Sequence, residues 1–391
     1  MADKATKGLW AILGILIVIA IVIVVLLFNM QKPGQKEVTV VETPTEKQEE
    51  FIKVGVLLPL SGEAASWGKN ALAGIELAVK EINEKGGING KPVKLFVEDT
   101  KCSSDSVSAI QKLINIDKVD IILGPICSAA AGPALPIARD NNVPVIIVAA
   151  SAPHLTKIGN NIFRVYPSDA FQGKFIAEFI YNKLGKKKVA IIYVKNDWGE
   201  GIKNVFTKRF EELGGEIVYV SGVLQTETDF RTELIKVKDS GVDTLFLPVY
   251  MKNGVAALKQ IKEMGLNITV IGGDSFAGEE VVKSGYADGV IFTVGKINLP
   301  EEFKAKIKSL PGYEDLSVSI AAPLGYDAMK VAALAIQKAG STEKEAVINA
   351  LYQLSYNGVS NPIIEFDENG DLKSAIFEVM IIRNKEAVPY E

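Results

Sequence analysis

The chain opens on a stretch unlike anything after it, because residues 9–28 are twenty consecutive positions without a charged or polar side chain. A helix of that length spans about 30 Å, the thickness of a bilayer's hydrocarbon core. From residue 51 the pattern changes to short apolar runs rich in Val and Ile, alternating with longer stretches of helical periodicity. The short runs predict strands at 52–58, 93–98, 119–123, 145–148, 189–193, 216–220, 244–248, 269–271 and 289–293. Between most of them the spacing predicts helices, at 69–84, 105–116, 170–184, 199–213, 229–238 and 253–264. Such alternation makes parallel sheets with helices on both faces, an α/β architecture. The series is too long for one doubly wound sheet and restarts at Val189, so two similar lobes are expected. Helices at 301–309, 320–339 and 342–354 follow, then two late strands near 362–366 and 376–382.

The apolar segment 9–28 reads as an uncleaved transmembrane anchor. Its rival is a secretory signal peptide, whose apolar region is normally about 7 to 15 residues and ends at small residues. Here Asn29-Met-Gln-Lys32 follows, and no cysteine lies close enough for a lipid anchor. Residues 1–8 form a stub on the far side. Residues 29–50 carry Pro33 and Pro44 among Lys, Glu, Thr and Gln, with little to bury, and read as a hydrated tether. Its reach is on the order of 25 Å. Lys4 and Lys7 before the segment balance Lys32 and Lys36 after it, so charge alone leaves the orientation open.

Composition narrows the function. With 43 Lys and Arg against 47 Asp and Glu the net charge is −4, and no basic stripe suited to phosphates stands out, which argues against nucleic acid. One histidine and two cysteines are too few for a four-ligand zinc site, and no metal or cofactor is expected. Gly62-Glu-Ala-Ala-Ser-Trp-Gly68-Lys69 is one residue too long for a phosphate-binding loop, and Asn70 stands where a magnesium-binding hydroxyl belongs. No Gly-x-Gly-x-x-Gly follows the first strand and no Gly-x-Ser-x-Gly elbow occurs. His154 has no evident triad, and Asn267-Ile-Thr269 matches a glycosylation sequon only as chance would. Nothing marks an enzyme.

Five segments together resemble the substrate-binding proteins of branched-chain amino acid ABC transporters: Ile52-Lys-Val-Gly-Val-Leu-Leu-Pro-Leu-Ser-Gly62, Gly86-Gly-Ile-Asn-Gly-Lys91, Gly124-Pro-Ile-Cys-Ser128, Ala149-Ala-Ser-Ala-Pro153 and Asp367-Glu-Asn-Gly-Asp-Leu-Lys373. The resemblance runs from about residue 52 to the end and implies the two-lobed type I periplasmic-binding-protein fold, with two parallel sheets flanked by helices. It implies three crossings between lobes, near 170, 297 and 377, so that one lobe is 51–170 plus 298–377 and the other 171–297 plus 378–391. It also implies a disulfide between Cys102 and Cys127, with two free thiols as the alternative. Such a bridge contributes about 3 kcal/mol in the chain-entropy description and belongs to an oxidising compartment. The orientation then becomes N-terminus inside, with the globular part outside the cytoplasm at the cell membrane.

The same resemblance, joined to the rule that ligands bind beyond the carboxyl ends of parallel strands, picks out a site. Ser128 opens a helical stretch after a strand, where its hydroxyl and nearby backbone N–H groups suit a carboxylate, although an N-cap role alone fits too. Ser151 and the Ala149 carbonyl are implied to hold the carboxylate and ammonium of an amino acid, against the reading of an ordinary turn. Asp274 follows Gly272 and Gly273, where the family carries an acid that neutralises an α-ammonium; helix capping is its alternative. Trp67, Trp198 and Tyr250 match positions whose aromatic side chains line the family's cleft. Five residues before Tyr326, where some relatives place an aromatic against the ligand, this chain has Ala321. The expected function is capture of a small apolar amino acid by hinged closure and delivery to an ABC permease. The alternatives are an amide or urea-like ligand on the same fold, and a membrane-anchored α/β enzyme.

Overall fold

Strand β1 (Ile52–Leu58) is apolar and buried on both faces, as a strand covered by helices above and below must be. The computed structural model describes residues 3–30, 50–62 and 64–391, and places β1 second in a five-stranded parallel sheet. The order is β2 (Val93–Asp99), β1, β3 (Ile121–Leu123), β4 (Val145–Ile147) and β5 (Ile162–Arg164). A second sheet begins with β7 (Glu216–Val223), β6 (Lys188–Val194), β8 (Thr244–Leu247), β9 (Thr269–Gly272) and β10 (Ile291–Gly295), again parallel. It continues into β11 (Phe377–Arg383) and β12 (Glu386–Pro389). Both parallel sets therefore run second, first, third, fourth, fifth. The strand order reverses between β1 and β3 in one sheet and between β6 and β8 in the other, and each reversal opens a crevice at the strands' carboxyl ends.

Three features depart from the periodicity. Strand β5, Ile162-Phe-Arg164, ends on a charged residue and gives no apolar run to notice. The stretch near 362–366 is not a strand but two isolated bridges, Tyr356 with Ile364 and Phe366 with Leu372. The second sheet is not wholly parallel, since β11 pairs antiparallel with both β10 and β12. Asn384 and Lys385 turn that hairpin with positive φ at both residues, as a two-residue turn requires, but without the glycine that would have flagged it.

The helices α2 (Ala65–Glu84), α3 (Ser106–Lys112), α4 (Ser128–Asp140), α5 (Asp169–Glu178) and α6 (Asp197–Glu212) lie between strands as expected. The series continues with α7 (Arg231–Asp239), α8 (Met251–Glu263), the single turn α9 (Glu279–Val282), α10 (Glu301–Lys308), α11 (Ala321–Ala339) and α12 (Lys344–Tyr352). Both α3 and α5 end on a π-helical turn, 113–117 and 179–183, which accounts for their longer periodic stretches. After β10 the chain returns to cover the first sheet, where α11 packs along α2. A Cβ on Gly325 would come within 2.1 Å of the Ala71 carbonyl oxygen, so only glycine allows this crossing.

Cys102 and Cys127 are joined by a disulfide, 25 residues apart in sequence. Both are buried, so the bridge fastens the loop after β2 to the start of α4 inside the core.

Residues up to 49 form a separate unit. Its helix α1 (Asp3–Met30) is described through its side chains only from Gly14 to Asn29, where the apolar residues from Ile15 to Phe28 are exposed. Among the described residues no helix is long and apolar enough to cross a membrane. Part of the expected span 9–28, and the expected tether apart from Asn29, Met30 and Glu50, lie outside the described residues or side chains.

Candidate functional site

Parallel strands followed by helices aim helix N-termini at the carboxyl edge of each sheet, and four of them border one pocket here. Trp67 lies in the first turn of α2, Ser128 is the first residue of α4, Trp198 is the second residue of α6, and Tyr250 immediately precedes α8. The pocket holds about 400 Å³ of empty space, part of it open to solvent, and its walls also include Ala149, Ser151 and Asp274. All seven residues singled out from the sequence meet there, four from segments after the first sheet's strands and three from the second's.

Local chemistry explains the placement. The Pro125 carbonyl, in the turn after β3, accepts from the N–H groups of Val148, Ala149 and Ala150 and so fixes the segment after β4. That turn requires Gly124, whose φ is 113° and where a Cβ would meet the Leu57 carbonyl oxygen at 2.1 Å. Cys127, not Ser128, occupies the N-cap position of α4 with extended backbone. The Ser128 hydroxyl instead accepts the Ala152 N–H at 3.2 Å, which ties α4 to the next loop. On the opposite wall Asn196 caps α6 through the N–H groups of Trp198 and Gly199. Trp198 and Tyr250 stack, with ring centroids 5.0 Å apart and planes 6° from parallel.

The acidic end is more elaborate than the sequence suggested. Asp274 opens a 3₁₀ turn and accepts bonds from the Ser275 N–H and the Tyr166 hydroxyl, so it holds its own turn while it lines the pocket. Burial raises its carboxyl to about 6, against hydrogen bonds from Tyr166, the Ser275 N–H and its own N–H that favour the ion. Asp169, the first residue of α5, is wholly buried behind Ser151 and accepts the Ser151 hydroxyl at 2.9 Å. Burial first, and then the negative charge of Asp274, hold it well above the ordinary carboxylate range. Arg164 pulls the other way and binds the Ala150 and Ala152 carbonyls at 3.0 Å each.

Sequence reasoning missed Tyr166 and Asp169 because both follow β5, whose apolar run is cut to two residues by Arg164; searching after it would have found them. It also missed Ile126, Met251 and Ser275, which line the pocket beside predicted residues. Ala321 does not line it: this residue begins α11, wholly buried, and Tyr326 bonds Glu81. Ala321 therefore does not set the pocket's size. His154 is half exposed, with Nε2 3.7 Å from Asp197. Among the described residues no cluster of His, Cys, Asp or Glu is arranged to hold a metal.

Contacts also join segments of the two sheets, since Gln225 donates to the Cys102 carbonyl at 3.0 Å and Ser66 to Glu280 at 3.1 Å. Two doubly wound sheets facing each other across such a pocket define a solute receptor of the type I periplasmic-binding-protein fold. The sequence pattern of the periplasmic binding proteins matches residues 52–385, and the chain belongs to that family. It is 28% identical to the leucine-, isoleucine-, valine-, threonine- and alanine-binding protein of Pseudomonas aeruginosa over 337 residues, covering 84% of this chain and 89% of that one. A solved branched-chain amino acid transporter substrate-binding protein from Streptococcus pneumoniae, in complex with isoleucine, superposes with a TM-score of 0.77 at 28% identity, covering 86% and 98% of the two chains. An ABC-transporter solute-binding protein from Rhodopseudomonas palustris, in complex with 3,4-dihydroxybenzoic acid, gives 0.75 at 27% identity, covering 87% and 96%.

Proposed function

We propose that this chain is the receptor of an ABC importer and captures a small apolar α-amino acid by closing two lobes, divided near residues 170, 297 and 377, without covalent chemistry. One observation carries the reading: a buried acid, Asp274, shares an aromatic-walled pocket with the N-terminus of α4. A helix N-terminus attracts a carboxylate and a desolvated aspartate attracts an ammonium, so the two ends suit a zwitterion. Trp67, Trp198 and Tyr250 offer mainly aromatic surface to a side chain. The relatives that bind leucine, isoleucine and valine support the choice.

An aromatic carboxylic acid is the second reading, favoured by the stacked Trp198 and Tyr250 and by the dihydroxybenzoate-bound neighbour. Such a ligand brings no cation for Asp274 and Asp169. Thermal unfolding of the full chain in detergent separates the two. At about 100 times its dissociation constant a ligand adds about 2.7 kcal/mol, and leucine, isoleucine or valine is expected to do so while benzoates do not. Stabilisation by benzoates alone reverses the assignment.

The address is proposed with it. Segment 9–28 is long enough to anchor the chain, and a buried disulfide suits an oxidising compartment, so the receptor is read as membrane-anchored with its globular part outside. Alkaline carbonate washing of cell membranes is expected to leave the chain in the pellet, and its release into the supernatant contradicts the anchor.

A further inference from the structure

The two pocket hydroxyls have opposite hydrogen-bond polarity. Ser128 Oγ accepts the Ala152 N–H, so its own proton is free to point at a ligand. Ser151 is committed the other way once Asp169 is ionised: its hydroxyl then donates to Asp169 Oδ2 at 2.9 Å, and its carbonyl accepts the Asp169 N–H at 2.9 Å. A hydroxyl has one proton, so Ser151 turns only lone pairs toward the pocket. Lone pairs repel a carboxylate and accept from an ammonium.

Resting on the amino acid reading above, we infer that Asp169 is a positioning residue: it fixes the Ser151 hydroxyl as an acceptor and thereby selects ligands that carry an ammonium. Asp169 is wholly buried, and among the described residues its Oδ1 has no hydrogen-bond partner. Its charged and titratable surroundings are Arg164, Asp274 and Tyr166, in which a single cation faces two carboxyls. Burial and the Asp274 charge both disfavour the Asp169 ion, and a ligand cation supplies the charge that this group lacks. An ammonium N–H donating to Ser151, which donates to Asp169, forms a chain of bonds that polarise one another. Ser128 and the start of α4 are left for the carboxylate. The two serines divide the ligand between them, although both are hydroxyls after strands of the same sheet.

Calorimetry on the full chain in detergent, with leucine and its des-amino analogue 4-methylpentanoate, tests the inference. Asp169→Asn is expected to weaken leucine about tenfold or more and leave 4-methylpentanoate within about twofold. Ser151→Ala removes the acceptor without touching the buried acid, so it gives the same answer if Asp169→Asn does not fold. It too is expected to narrow the preference for leucine, and adding Asp169→Asn to it is expected to narrow it little further. If leucine and 4-methylpentanoate weaken alike in Asp169→Asn, or the preference for leucine survives in Ser151→Ala, Asp169 is only structural and the inference fails. Wild-type protein with no preference for leucine overturns the amino acid reading and this inference together.

Discussion

Asp274→Asn is expected to weaken amino acid binding at least about 30-fold, because removing one partner of a desolvated charge pair typically costs about 2 to 5 kcal/mol. The substitution keeps the shape of a buried side chain and the bond from Tyr166, so the loss reports charge. Ser128→Ala removes one hydrogen bond to a charged group and is expected to cost about 1.5 to 3 kcal/mol, since the N–H groups of α4 persist. Asp274 should therefore dominate. Acidity adds an independent signature. The empty pocket's Asp274 takes up its proton near 6, above the usual aspartate value, whereas an ammonium beside it favours the ion. Binding below that pH must expel the proton, so affinity is expected to fall as the pH drops through about 6. Calorimetry from pH 5 to 8 reads both effects. A wild-type affinity that is flat across this range, or an Asp274→Asn variant that binds leucine normally, removes Asp274 from the ammonium site.

Family resemblance singled out the seven candidate residues, and their meeting in one pocket follows from topology, because parallel strands put their carboxyl ends, and the turns that follow them, on one edge of a sheet. Trp67, Ser128, Ala149, Ser151, Trp198, Tyr250 and Asp274 each follow a strand that an apolar run had already marked. Asp169 and Tyr166 obey the same rule but follow β5, where Arg164 leaves only Ile162 and Phe163 as an apolar run, and two residues hold no period. The polarity of a hydroxyl was beyond the sequence for a different reason. Ser128 and Ser151 look alike along the chain, and only Ala152 beside one and Asp169 beside the other tell donor from acceptor. Strand β11 was marked by its apolar run, but β12 and the turn into it escaped because Asn384 and Lys385 make a positive-φ turn with ordinary residue types. The return of α11 onto α2 was given only by family resemblance, since periodicity says which face of a helix is buried and not which sheet buries it.

Asp371→Ala is expected to destabilise the globular unit by about 3 to 5 kcal/mol, the usual cost of leaving one charge of a buried pair alone. Arg164 is wholly buried, and its Nε and Nη2 both donate to Asp371 Oδ1, at 2.8 and 2.5 Å. Asp371 is in turn held by the Asp367 carboxylate through its N–H, and the Gly370 carbonyl accepts the Arg164 N–H. The segment Asp367-Glu-Asn-Gly-Asp371 thus anchors to β5 from more than 200 residues away. The remaining guanidinium bonds go to the Ala150 and Ala152 carbonyls on either side of Ser151, so the ion pair also sets the pocket wall. Replacing both partners with apolar residues separates these two jobs. Arg164→Met with Asp371→Leu leaves no lone buried charge and is expected to recover much of the stability lost in Asp371→Ala. Leucine affinity is expected to stay low in the double variant, because nothing then holds the carbonyls beside Ser151. Urea unfolding and calorimetry on the same samples check the pair of outcomes. Stability that stays as low in the double variant as in Asp371→Ala contradicts the ion-pair account, and full affinity in the double variant shows that the loop needs no anchor.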